Sequence, residues 1–95
     1  MYSNEQSLKE VIQELLKAYK LDDKMSETQI IASWEAVVGK MIAKHTQKLF
    51  IHKKILFVTL DSAALREELS YARQKLIKVL NKKVGMEVIK DIIFK

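Results

Sequence analysis

A two-layer α+β domain, in the order helix, helix, strand, strand, helix, strand, is the fold this 95-residue sequence predicts. Three observations carry the prediction. Apolar residues recur at three- and four-residue steps as far as about Thr46, alternate as in strands between Leu49 and Leu60, and return to helical spacing after Ala63. The polar pair Lys53-Lys54 divides two runs rich in branched and aromatic residues, as a hairpin would. A last apolar run, Val88 to Phe94, follows Gly85 and reads as a closing strand. The length suits one domain over residues 1–95, with an N-terminal helix and loop over 1–24 and the core over 25–95.

The first helix is expected from about Asn4 to Tyr19, where Leu8, Val11, Ile12, Leu15, Leu16 and Tyr19 share one face, with Ser3 and Gln6 as a capping box. A polar break from Lys20 to Lys24 precedes a second helix with Ser26 as its N-cap and Gln29 three residues on. Its apolar arc takes in Ile30, Ile31, Trp34, Val37, Val38, Met41 and Ile42 and runs to about His45. Gly39 lies inside that arc, so a kink or a close packing contact is expected there. The strands cover Leu49 to His52 and Ile55 to Leu60. Neither Lys53 nor Lys54 readily takes the positive φ of a tight turn, so a turn longer than two residues is expected. In the second strand Leu56, Val58 and Leu60 share one face, and Phe57 and Thr59 the other. Asp61 or Ser62 caps a long helix from Ala63 to about Lys83, whose inner face carries Leu65, Leu69, Ala72, Leu76, Val79 and Leu80. In the closing strand Ile89 and Ile93 lie on one side, and Val88, Ile92 and Phe94 on the other. A hairpin followed by a helix that returns a third strand to the sheet resembles type II KH-like domains in topology.

The net charge of +5 hides an asymmetry. Residues 1–39 hold four lysines against seven acids, a net of −3, and residues 40–95 hold thirteen Lys and Arg against five acids, a net of +8. Between Lys40 and Leu60 there is no acid, while Lys40, Lys44, Lys48, Lys53 and Lys54 are joined by His45 and His52. A one-signed stretch of this kind attracts polyanions. No apolar run approaches the roughly 20 residues of a membrane span, no secretory signal is visible, and cysteine is absent, so a cytoplasmic protein is expected.

Little here predicts catalysis, a metal, a cofactor or a small-molecule substrate. His45 and His52 are seven apart and match no metal-ligand spacing, so both read as surface or half-buried histidines. Glu67-Glu68 falls in the first turns of a helix, where acids complement the dipole. With two glycines, the chain has neither a phosphate-cradling loop nor the G-x-x-G clamp of RNA-binding KH domains. Trp34 could stack on bases, but among Ile30, Val37 and Val38 it reads as core. The informative constellation is Tyr71, Lys75, Lys78 and Lys82, spaced i, i+4, i+7, i+11 on the outer flank of the long helix. It aligns positive charge behind one aromatic ring, which suits a phosphate backbone with one stacked base, although lysines near a helix C-terminus are favoured by the dipole in any protein. Fifteen lysines against two arginines favour attraction to a phosphate backbone over reading of bases.

Trp34-x-x-Val37-Val38-Gly39-x-x-Ile42-Ala43-x-His45-Thr46, Leu56-x-Val58 before Ser62, Glu68-Leu69, Leu76 to Leu80-Asn81, Gly85, Ile89 and Ile92-x-Phe94 together resemble the DciA family. The similarity runs from about Ser26 to the end and rests on several short hydrophobic motifs. It implies a bacterial protein that helps load or operate the DnaB-type replicative helicase. It also implies a KH-like domain contacting DNA and helicase without hydrolysing nucleotide. The candidate nucleic-acid-binding residues are therefore Lys40, Lys44, Lys48, Lys53, Lys54, Tyr71, Lys75, Lys78 and Lys82, with DNA preferred over RNA. A KH-like RNA-binding module is the first alternative, and a protein-only adaptor docking through its acidic first helix is the second.

Overall fold

The computed structural model describes residues 10–12 and 21–95. The helix expected from Asn4 to Tyr19 lies outside the described residues, apart from 10–12, which are helical. The described elements are α1 (Leu21–Val38), α2 (Lys40–Lys44), β1 (Thr46–His52), β2 (Ile55–Leu60), α3 (Ala63–Tyr71), α4 (Arg73–Val84) and β3 (Asp91–Phe94). The three strands form one mixed sheet in the order β1-β2-β3, with β1 and β2 antiparallel and β2 and β3 parallel. A parallel neighbour needs a crossover, and α3 and α4 supply it.

Helix α1 begins inside the expected break, ahead of the expected N-cap. Ser26 does not cap it; the residue is buried and its hydroxyl donates to Met86 Sδ at 3.1 Å. Ser26, Ile30 and Trp34 stand four apart and form the buried line of the helix, so the apolar arc is narrower than the sequence suggested, and Ile31 and Met41 face outward. Gly39 divides α1 from α2 at φ 92°. A Cβ there would meet nothing within 4 Å, so the glycine serves backbone conformation rather than close packing. Its N–H still donates to Glu35 O, and its carbonyl accepts from Ala43, which keeps the two helices joined across the kink.

The expected long helix is interrupted at Ala72, whose backbone leaves the helical region and whose N–H donates to Leu69 O three residues back. Ser70 contributes, since its hydroxyl donates to the Glu67 carbonyl, a back-bonding habit that bends helices. Leu69, Leu76, Ile77 and Leu80 are buried, whereas Val79, placed on the inner face from the sequence, is exposed. Ser62 rather than Asp61 caps α3, accepting from the Leu65 N–H. Gly85 ends α4 in the left-handed region, as its position predicts.

The closing strand is shorter than Val88 to Phe94. Val88 and Ile89 are buried but held by one side chain instead of a neighbouring strand: Asn81 Oδ1 accepts from both N–H groups at 2.9 and 3.0 Å, and its Nδ2 donates to Ile89 O. Ile89, Ile92, Leu56, Val58, Leu80 and Ile30 are fully buried at the centre of the core between sheet and helices. Among the described residues, the helices pack on the sheet face that carries Leu56, Val58, Leu60 and Ile92, and none of them covers the other face.

His52 pairs directly with Ile55, so Lys53 and Lys54 form a two-residue turn, with φ of 50° and 64°. The longer turn expected from the sequence is not adopted. Two left-handed residues match the twist of the flanking strands, and pairing on both sides outweighs the conformational penalty on lysine. Replacing Lys53-Lys54 by Asn-Gly is expected to raise stability by about 1–2 kcal/mol, read in urea as a higher midpoint at unchanged slope. Loss of stability would show that the lysines do more here than turn the chain.

Candidate nucleic-acid interface

The open face owes its composition to a bulge at Gln47. Thr46 pairs with Leu60 and Lys48 with Thr59, so one residue of β1 is extra. Thr46 therefore turns inward along with Leu49 and Ile51, while Lys48, Phe50 and His52 turn outward. The inward Thr46 hydroxyl accepts from Trp34 Nε1 at 3.0 Å and donates to Ile42 O at 2.8 Å. Trp34 is core, as its neighbours indicated, and the Trp34 and His45-Thr46 parts of the motif are a single relay from α1 through α2 to β1. His45 has a partner that its sequence neighbourhood hid: Nδ1 meets Asp61 Oδ1 at 2.7 Å, and the Asp61 N–H donates to His45 O. Together these tie the start of β1 to the end of β2.

The register sets Phe50 opposite Phe57 on the open face. The rings stack with centroids 4.9 Å apart and planes 10° from parallel. Lys48 Nζ lies over the Phe50 ring at 5.6 Å from its centroid, and Lys95 Nζ over the Phe57 ring at 5.2 Å. At this exposure each such contact contributes about 0.5–1 kcal/mol. Ile93, beside Phe57 on β3, is also exposed. The sequence separates Phe57 from Leu56 and Val58 but does not reveal the pair, because Phe50 meets Phe57 only once the two-residue turn is known.

All nine candidate residues are exposed, and no described Lys or Arg touches a described carboxylate as an ion pair. The fold does not gather them on one surface. Lys40 and Lys44, one helical turn apart, lie on α2, and Lys48 lies on the open sheet face. Lys53 and Lys54 line a cleft of about 450 Å³ with Asp23, Glu27 and Glu87, so a stretch without acids in sequence meets three in space. Lys75, Lys78 and Lys82 stay together on the outer flank of α4, on the helical layer, opposite the Phe50 and Phe57 face. Tyr71, 83% exposed, ends α3 on the other side of the interruption at Ala72, and its hydroxyl lies 3.5 Å from Glu67 Oε1. Among the described residues no group of three His, Asp or Glu could hold a metal, and no helix is long and apolar enough to cross a membrane.

Fold and site define a small α+β module with a lysine-flanked aromatic face on the side of the sheet that no described helix covers. The family model described as Dna[CI] antecedent, DciA, matches residues 7–94. The chain belongs to the DciA family. It is 35% identical over 63 residues to a UPF0232 protein of Corynebacterium glutamicum, a match covering 66% of this chain and 35% of that protein. A UPF0232 protein of Mycolicibacterium smegmatis is 31% identical over 84 residues, covering 88% and 43%, and one of Mycobacterium tuberculosis is 26% identical over 87 residues, covering 92% and 46%. The chain thus spans less than half the length of these relatives. No solved structure matches it significantly.

Thr46→Val keeps the shape but leaves the buried Trp34 N–H without its acceptor. A loss of about 1–3 kcal/mol is expected in unfolding followed by the fluorescence of this single tryptophan. Unchanged stability would show that the relay is dispensable.

Proposed function

We propose that this chain is a non-enzymatic accessory of DNA replication, binding DNA through its lysines while another surface holds a DnaB-type replicative helicase. Membership of the DciA family supports the helicase half, since it implies a role in loading that helicase. The observation that carries the DNA half is the exposure of Lys40, Lys44, Lys48, Lys75, Lys78 and Lys82, with no described carboxylate in ion-pair contact. A phosphate backbone gains most from ammonium groups that are not already compensated. Exposed Met25, Ile31 and Met41 on the helical layer offer apolar surface to a protein partner. The type II KH-like architecture is part of this reading, supported by a hairpin whose second strand pairs in parallel with a strand returned by helices. Without a G-x-x-G clamp, such a domain would engage nucleic acid through charge and exposed rings. A replication factor of this kind works in the bacterial cytoplasm, where the chromosome is, and needs no cofactor.

Titration with single-stranded DNA at two salt concentrations tests the DNA half. If about five phosphates are neutralised, affinity should fall roughly a hundredfold between about 50 and 200 mM salt. Absence of binding at the lower concentration removes it. Direct competition between RNA and DNA separates an RNA-binding module from this reading. Changing Lys75, Lys78 and Lys82 together to glutamate should weaken DNA binding and flatten its salt dependence; if the unaltered chain binds no DNA at low salt and partner capture survives the change, the chain is a protein-only adaptor.

A further inference from the structure

We propose that the open face of the sheet, centred on Phe50 and Phe57, is a stacking platform for unpaired bases, which makes single-stranded rather than duplex DNA the preferred ligand; this rests on the reading of the chain as DNA-binding. The face combines two features that a single strand needs and a duplex cannot use together. The first is accessible aromatic surface, since exposed Phe50 and half-buried Phe57 stand on the sheet face that no described helix covers, with exposed Ile93 beside Phe57. Bases inside a duplex already stack on each other and cannot reach it, whereas an unpaired base of any identity has a π-face to offer. The second is positive charge placed at the rings themselves, Lys48 over Phe50 and Lys95 over Phe57.

The two lysines sit where an exchange can occur. In the free protein each ammonium group lies over a ring, a contact weakened by the surrounding water. An arriving base replaces it with a larger stacked contact, and the displaced ammonium group is left within side-chain reach of the phosphate that carries that base. Phosphate binding and base stacking therefore reinforce each other at one place. Among the described residues no α4 lysine lies over a ring, and Tyr71, at the end of the preceding helix, sits beside Glu67 instead. Among the residues that share the open face, Asp91 is the acid, at the start of β3, where its Oδ1 accepts from the Ile92 N–H. The balance of charge around the rings thus favours a polyanion.

The test uses the full chain and an oligothymidine probe. Phe50→Leu keeps an apolar strand residue on an exposed position and removes the ring; affinity for the oligothymidine should fall about tenfold. Phe50→Tyr, which restores a ring, should recover most of it. A second readout needs no variant: an oligonucleotide carrying 5-iodouracil, irradiated in complex with the unaltered protein, should crosslink to Phe50 or Phe57. If the protein binds the oligonucleotide but Phe50→Leu binds as tightly, or the crosslink falls on Tyr71 or the α4 flank, the platform is wrong while DNA binding stands. If the unaltered protein binds no DNA at low salt, the wider reading fails and the platform with it.

Discussion

The register of the β1-β2 hairpin is the constraint on which the rest of the structure depends. Strand side chains alternate between faces, so one residue of slip would send Leu56, Val58 and Leu60 to solvent and Phe57 and Thr59 into the core. Two devices prevent it, a two-residue turn at Lys53-Lys54 and a one-residue bulge at Gln47. The turn aligns Phe50 with Phe57. The bulge reverses the facing of everything before it, so that Thr46 reaches Trp34 while Lys48, two residues later, points the other way. Core and outer face are two sides of one decision.

Polar side chains then lock irregular backbone that the sheet does not cover. Asn81 holds three backbone groups of Val88 and Ile89, so the chain can enter β3 from the end of α4 without leaving buried donors unpaired. The Trp34 and Thr46 relay ties the end of α2 in the same way, the Thr46 hydroxyl giving Ile42 O a second donor beside the His45 N–H. These ties couple the helical layer to both ends of the sheet, and they explain physically why the tryptophan, threonine and asparagine stand in the motifs that mark the family.

Most of this fold was legible in the sequence wherever periodicity carries it. The alternation of Ile55 to Leu60 located β2 and sorted its two faces without telling which was buried, and the helical spacing around Leu69, Leu76 and Leu80 located the inner side of the crossover. The failures were local and have causes. Ser26 looks like a cap, but its hydroxyl is small enough to be buried beside Met86. Lysines disfavour a tight turn, but strand pairing overrides propensity. Helical spacing continues through Ala72, so periodicity could not reveal a break made by a backbone torsion. Of the candidate site, charge was legible and its arrangement was not. A linear count set Lys53 and Lys54 in an acid-free stretch, yet Asp23, Glu27 and Glu87 from other elements share their cleft. The Phe50 and Phe57 pair depends on a two-residue turn that no periodic pattern reports.

Positive charge on this domain is divided between the sheet side and the helical side, and among the described residues ammonium groups lie over aromatic rings on the sheet side alone. Long-range attraction to a polyanion needs no more than the sum of these charges, but a defined path for the strand needs contacts that hold a base. Following the side-chain resonances by NMR while oligothymidine is added tests this most directly. Ring-current shifts at Phe50, Phe57 and Lys48, larger than any on α4, are the expected result. Shifts confined to Lys75, Lys78 and Lys82, with the phenylalanine rings unmoved, would contradict it.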